Sequence, residues 1–96
     1  MNCAACGSPL GKAEAAIAIF VMGDEYAYSY FACAACGQYT VESYHDRFLG
    51  EDSVDVLGPF PTKVGEKAVA LVRACPSPQD KNCDCPSHQA LYYGLP

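Results

Sequence analysis

The cysteines constrain the fold of this chain more than any other feature of its sequence. There are seven in 96 residues, and an odd number leaves one thiol over in a framework built of disulfides alone. The chain begins MNCAAC, without the basic and apolar segments of a secretory signal, so we expect a cytoplasmic protein. Because that compartment keeps thiols reduced, cysteine-rich sequences there usually bind metal ions. The sequence therefore favours metal ligation over disulfides.

Four of the cysteines belong to two copies of one short motif. The motif is CAACG, and its cysteines are Cys3, Cys6, Cys33 and Cys36. In a C-x-x-C turn the two sulfurs point to the same region of space, and the glycine that follows (Gly7 or Gly37) permits positive φ and a close backbone approach. Two such turns supply four thiolates, which is the ligand set of a closed tetrahedral zinc site. We predict the first metal site here.

The remaining cysteines lie close to a histidine near the end of the sequence. The stretch CPSPQDKNCDCPSH contains Cys75, Cys83, Cys85 and His88. Its prolines and small polar residues are typical of turns, which would let the four side chains converge. We predict a second tetrahedral site, with three thiolates and one imidazole. Two other interpretations stay open, a Cys75–Cys83 disulfide with a free Cys85, or redox-active thiols, but neither of them uses the histidine.

The paired CAACG units resemble the zinc ribbon family, whose metal-binding knuckles are also called rubredoxin-like. The resemblance covers residues 1–45 and depends on the four cysteines of the two units and on the glycine after each unit. It implies a small antiparallel sheet with a metal ion held at one end by those four cysteines.

The chain between and after the two units has the pattern of three β-strands. Residues 14–22 and 26–32 are rich in β-branched and aromatic residues, and Gly-Asp-Glu at 23–25 is typical of a turn between them. Residues 38–45 alternate in the same way and predict a third strand. We therefore expect a three-stranded antiparallel sheet.

The second half of the sequence predicts one helix and a metal-binding loop. Residues 62–74 have apolar side chains at helical spacing, with Thr62 as the predicted N-cap and Cys75 directly after the last turn. The acidic cluster before the helix (Glu51, Asp52 and Asp55) is most simply a solvated loop or an edge strand. The expected fold is a small metal-stapled α+β unit, in which a lobe of residues 46–96 packs on a zinc ribbon of residues 1–45.

Net charge and hydropathy limit the classes of partner. Tyr26, Tyr28 and Tyr30 share one face of a strand and could stack on nucleic-acid bases, or they could simply pack in the core. A formal net charge of −5 disfavours nucleic acid, because neutralisation of phosphates supplies most of that affinity. The longest apolar run, at residues 15–22, is far shorter than the ~20 residues of a membrane span. We expect a packed tyrosine stripe and no membrane segment.

The predicted metal sites favour a structural role. Each has four protein ligands, which leaves no open position for water or substrate, and the sequence contains no HExxH or GxSxG motif. We expect a non-enzymatic protein with two zinc ions, which acts as an interaction module or small accessory subunit bound to a protein partner. One alternative is a rubredoxin-like iron or iron–sulfur electron carrier, because four thiolates accept iron as well as zinc. The other is a nucleic-acid-binding zinc ribbon.

Overall fold

A four-stranded antiparallel sheet forms the centre of the computed structural model, which describes residues 1–47, 50–92 and 94–95. The elements are β1 (Ala15–Val21), β2 (Asp24–Ala32), β3 (Tyr39–Asp46), β4 (Ser53–Phe60), α1 (Thr62–Ala74) and α2 (Pro86–Ala90). The strands lie in the order β1-β2-β3-β4, so each strand pairs with the one before it in sequence. Within the described ranges, neither helix is long and apolar enough to cross a membrane.

The prediction of a three-stranded sheet is wrong, because residues 53–60 form a fourth strand. Val54, Val56 and Leu57 favour an extended backbone, and Val54 and Val56 alternate with Ser53 and Asp55. Of the acidic cluster predicted as a solvated loop or an edge strand, Asp55 lies within β4, whereas Glu51 and Asp52 precede the strand. A second, five-residue helix, α2, also lies inside the segment predicted as a loop.

The core lies between one face of the sheet and α1. Alternate residues of the first three strands point to this face, and the fully buried ones include Ile17, Tyr30 and Val41. Tyr28 and Tyr30 are buried, and the Tyr30 hydroxyl donates to the Gly94 carbonyl (2.5 Å). The tyrosine stripe is therefore part of the core, as the interpretation from net charge predicted.

Helix α1 has the predicted bounds but begins differently from the prediction. Pro61, not Thr62, occupies the N-cap, and no side chain caps the helix there. The Thr62 hydroxyl instead donates to the carbonyl oxygen of Gly37 (2.6 Å), which lies directly after the second CAAC turn. Further along the helix, Gly65 is buried against the ring of Tyr39. The start of α1 is thus attached to the segment that carries Cys33 and Cys36.

Candidate metal centres

The two CAACG units fold into the same turn. In the first knuckle (residues 3–8) the Gly7 N–H donates to the Cys3 carbonyl (3.0 Å), and in the second (residues 33–38) the Gly37 N–H donates to the Cys33 carbonyl (2.8 Å). The two glycines have φ of 77° and 79°, which residues with a Cβ rarely adopt. The repeated sequence therefore produces a repeated geometry, in which both thiols of each unit lie on the same side of the turn.

The sheet holds the two knuckles next to each other. The second knuckle connects β2 to β3, whereas the first precedes β1 and lies far away in sequence. The Ala4 N–H of the first knuckle donates to the hydroxyl of Thr40 in β3 (3.0 Å), and that threonine is fully buried. This bond fixes the first knuckle to β3, the strand that follows the second knuckle, and so brings the four cysteines together.

The four sulfurs of this N-terminal cluster (Cys3, Cys6, Cys33 and Cys36) are spaced for one tetrahedral ion. All four lie within 4.8 Å of one another. The Cys3–Cys36 sulfur distance is 3.7 Å and the Cys6–Cys33 distance is 3.5 Å. A zinc ion about 2.3 Å from each sulfur requires sulfurs about 3.8 Å apart. The cluster could therefore hold one metal ion.

The thiols of the N-terminal cluster do not ionise independently. Hydrogen bonds from the backbone N–H groups of Cys6 and Ala5 lower the pKa of the Cys3 thiol to about 6. The Gln38 backbone N–H lowers the pKa of Cys36, but desolvation and the three neighbouring thiols oppose it and raise that pKa to about 12. Cys3 thus forms a thiolate readily, whereas its neighbours oppose the ionisation of Cys36. A divalent cation removes this opposition, because it attracts all four thiolates.

The second group is assembled from the ends of the two helices and the loop between them. This C-terminal cluster contains Cys75, Cys83, Cys85 and His88, whose ligand atoms all lie within 4.8 Å of one another. Cys75 is the C-cap of α1, and Cys85 is the N-cap of α2, where its sulfur accepts from the His88 N–H. Helix geometry therefore positions three of the four ligand atoms.

Distances in the C-terminal cluster also fit one tetrahedral ion. The Cys75 sulfur lies 3.8 Å from the Cys83 sulfur and 3.4 Å from the Cys85 sulfur. The Nδ1 atom of His88 lies 3.1 Å from the sulfur of Cys75 and 3.4 Å from that of Cys85. Zinc bound by both atom types would place sulfur and nitrogen about 3.6 Å apart. Small adjustments would complete the geometry around an ion.

His88 is held in the form that a metal requires. Its Nε2 atom lies 3.0 Å from the carbonyl oxygen of Ala18 in β1, and the side chain is buried. Because a carbonyl oxygen only accepts, Nε2 carries a proton, and in the neutral ring Nδ1 then keeps a free lone pair. Metal-ligating histidines commonly donate their other N–H to such an acceptor. The hydrogen bond of His88 to Ala18, outside the four ligand atoms, therefore also fits a metal site.

The thiols of the C-terminal cluster also differ in pKa. Burial raises the pKa of the Cys75 thiol to about 11. The His88 backbone N–H lowers the pKa of the Cys85 thiol to about 6. Metal binding here would displace the proton of Cys75, as it would that of Cys36 in the other cluster.

All eight residues predicted as ligands lie in the two clusters, and their ligation of metal stays a prediction. The second histidine, His45, belongs to neither cluster: its Nε2 lies 2.9 Å from the Asp24 carboxylate and its ring stacks on Tyr26. Sequence reasoning missed the roles of Thr40 and Ala18. The backbone position of Ala18 leaves no trace in the sequence, whereas a threonine three residues beyond the second CAACG is a weak indication at best.

No protein-family model, curated protein or solved structure matches this chain. The likeness to zinc ribbons therefore depends on the two CAACG units and on the convergence of their four sulfurs. Inferences about the role of the protein must come from its own geometry and charge.

Proposed function

We propose that this protein is a non-enzymatic, zinc-binding interaction module, built on a zinc-ribbon-like knuckle pair and carrying two structural zinc ions. One observation carries the proposal: each cluster offers four protein ligand atoms within 4.8 Å. A zinc ion with four protein ligands is closed to water and substrate, which is typical of structural rather than catalytic sites.

The position of each cluster supports a structural role. The N-terminal cluster links the first knuckle to the β2–β3 connection, and the C-terminal cluster links the end of α1 to α2. Both links join segments that lie apart in sequence. Structural zinc ions contribute on the order of 10 kcal/mol to folding in small domains, so the two ions would compensate for a small core.

The surface supports a protein partner more than a nucleic acid. Val54 and Val56 are exposed large apolar side chains on one edge of the sheet, and such groups mark contacts with other proteins. The formal charge of −5 becomes more negative with metal-bound thiolates, which opposes binding to phosphates. We place this activity in the cytoplasm, where the thiols stay reduced.

An electron carrier is the second candidate, favoured by the exposure of two ligands. Cys6 and Cys36 lie at the surface of the N-terminal cluster, whereas Cys3 and Cys33 are buried. A four-thiolate iron site with two sulfurs near the surface could exchange electrons with a partner protein, and the same ligands accept iron or zinc.

Metal content and the visible absorption spectrum of protein purified without oxygen distinguish the candidates. We expect two zinc ions per chain and no visible absorption. Replacement of His88 by alanine should lower the content towards one ion, because the C-terminal cluster then has only three ligands. His45→Ala is the matched control, since this histidine belongs to neither cluster, and should retain two ions. Iron with visible absorption would replace the proposal by electron transfer, and equal losses in both variants would contradict the assigned ligands.

A further inference from the structure

The two edges of the sheet differ in how they are covered. At the β1 edge the Ala18 N–H donates to the Pro78 carbonyl (2.7 Å), and the Ala18 carbonyl accepts from His88. The Ala16 carbonyl of the same edge accepts from the Gln79 amide (3.2 Å). Strand β4 forms the other edge, and no further strand in the part of the chain that the structure describes pairs with it. The β4 edge is thus open to another chain.

Apolar side chains extend to this open edge on the face of the sheet opposite α1. Val54 and Val56 are 56% and 54% exposed. They pair with Tyr44 and Glu42 of β3, and Tyr44 is itself exposed. Natural edge strands are usually protected by lysines, prolines or a covering segment. Within β4, Pro59 lies near the end of the strand and Asp55 adds a single charge, so Val54 and Val56 stay exposed on either side of that charge.

The hairpin that contains this edge is strongly negative. Residues 39–60 include five carboxylates, Glu42, Asp46, Glu51, Asp52 and Asp55, and one cation, Arg47. Asp55 is exposed at the middle of β4, between the two valines. The guanidinium of Arg47 donates to the backbone carbonyl of Glu51 and does not reach β4 in that contact. A segment that pairs with β4 would therefore meet apolar side chains on one face and a carboxylate on the other.

We propose that β4 binds an extended segment of a partner protein as a fifth strand of the sheet, with apolar, basic and apolar residues beside Val54, Asp55 and Val56. This inference rests on the proposed function as an interaction module and specifies its partner. Backbone hydrogen bonds supply affinity in this mode, and alternate side chains supply specificity. On the face opposite α1, apolar residues of the segment lie beside Val54 and Val56, which already pair with Tyr44 and Glu42 of β3. On the other face, the basic residue of the segment pairs with Asp55.

A second copy of the chain fits this edge less well. Each copy carries a formal charge of −5, and each would bring the same acidic hairpin to the contact. Like charges at opposed positions of paired strands are destabilising. Charge complementarity therefore favours a basic partner segment over self-pairing.

The test uses the full-length, zinc-loaded protein and two capped synthetic peptides, Val-Lys-Val-Lys-Val and Val-Glu-Val-Glu-Val. We expect the lysine peptide to bind at least about tenfold more tightly, in a salt-dependent manner, and to slow amide hydrogen exchange in β4. Asp55→Lys should reverse the preference for the two peptides. Because Asp55 is exposed, the variant should retain the metal content and the circular dichroism spectrum of the parent, which serve as the control.

Four results would overturn the inference. Equal binding of both peptides would remove the role of charge, and protection elsewhere than β4 would remove the role of the edge. A dimer of the free protein that protects β4 would assign the edge to a second copy. Metal content is measured on the same sample. If the protein holds two zinc ions and the lysine peptide does not bind, only this inference is refuted. If the sample is poor in metal, the proposed function is refuted.

Discussion

Gly65 is a point of close approach between α1 and the sheet, and its replacement by alanine tests how the helix is held. An added Cβ would lie 2.0 Å from Cγ of Tyr39. Carbon atoms in contact prefer about 3.5–4.0 Å, so the ring or the helix must move by about 1.5 Å. The ring has little room to move, since Tyr39 is buried and its hydroxyl donates to the Glu14 carboxylate (2.8 Å).

Two effects of opposite sign decide the magnitude. In an exposed helix interior, replacing glycine by alanine raises the free energy of unfolding by about 1 kcal/mol. Overpacking of a core lowers it by about 1–3 kcal/mol or more, and a displacement of this size belongs at the upper end of that range. We therefore expect Gly65→Ala to lower the free energy of unfolding by about 2 kcal/mol.

Urea unfolding followed by circular dichroism, at one fixed excess of zinc, measures this change. Ala70→Gly, at an exposed position of the same helix, is the control for propensity alone and should lose about 1 kcal/mol. In a Tyr39→Ala background the clash is absent, so Gly65→Ala should instead stabilise the protein. A Gly65→Ala variant that is as stable as the parent in the presence of Tyr39 would refute this packing argument.

Two further predictions concern the N-terminal cluster. Thr62→Val removes the hydroxyl that donates to the Gly37 carbonyl, so we expect the free energy of unfolding to fall by about 1 kcal/mol and the metal ion of this cluster to be released faster to a chromogenic chelator. Thr62→Ser keeps the hydroxyl and should behave as the parent. A valine variant with unchanged release would contradict the proposed link. Metal affinity should fall as the pH falls, because protons compete for the thiolates. The pKa of Cys36 is about 12, so its proton competes throughout the neutral range. Near pH 6 Cys3 also begins to take up a proton, and the dependence steepens. Competition with a chelator of known affinity at each pH measures this, and a flat profile between pH 5 and 8 would contradict the assigned ligands.

The first three strands and α1 could be predicted because their signals are local. β-Branched and aromatic runs locate β1, β2 and β3 to within two residues, and helical spacing locates α1. The turn was misplaced, since the sequence favoured 23–25 whereas Met22 and Gly23 both have positive φ and Asp24 already belongs to β2. Methionine rarely adopts that conformation, so no local pattern indicated it.

Contacts between distant segments explain what sequence could not predict. The ligand sets follow from spacing within each CAACG unit and within the C-terminal stretch. By contrast, the Ala4–Thr40 and His88–Ala18 bonds join residues 36 and 70 positions apart. Helix propensity alone makes Gly65 a weak point of α1, and only the position of Tyr39 explains why a side chain cannot replace it. The division of the chain at residue 45 stays a prediction.

The hydrogen bonds between Ala18 and the C-terminal segment make aggregation of this protein sensitive to the supply of metal ions. Pro78 and His88 contact Ala18 at the β1 edge, and both belong to the segment that carries the C-terminal cluster. Without an ion in that cluster, this cover would loosen and the sheet would present free backbone groups on β1 as well as on β4. Unpaired edges are templates for aggregation, so loss of the proposed ion would leave two open edges at which copies of the chain could assemble. An ion in the C-terminal cluster would therefore protect solubility as well as stability.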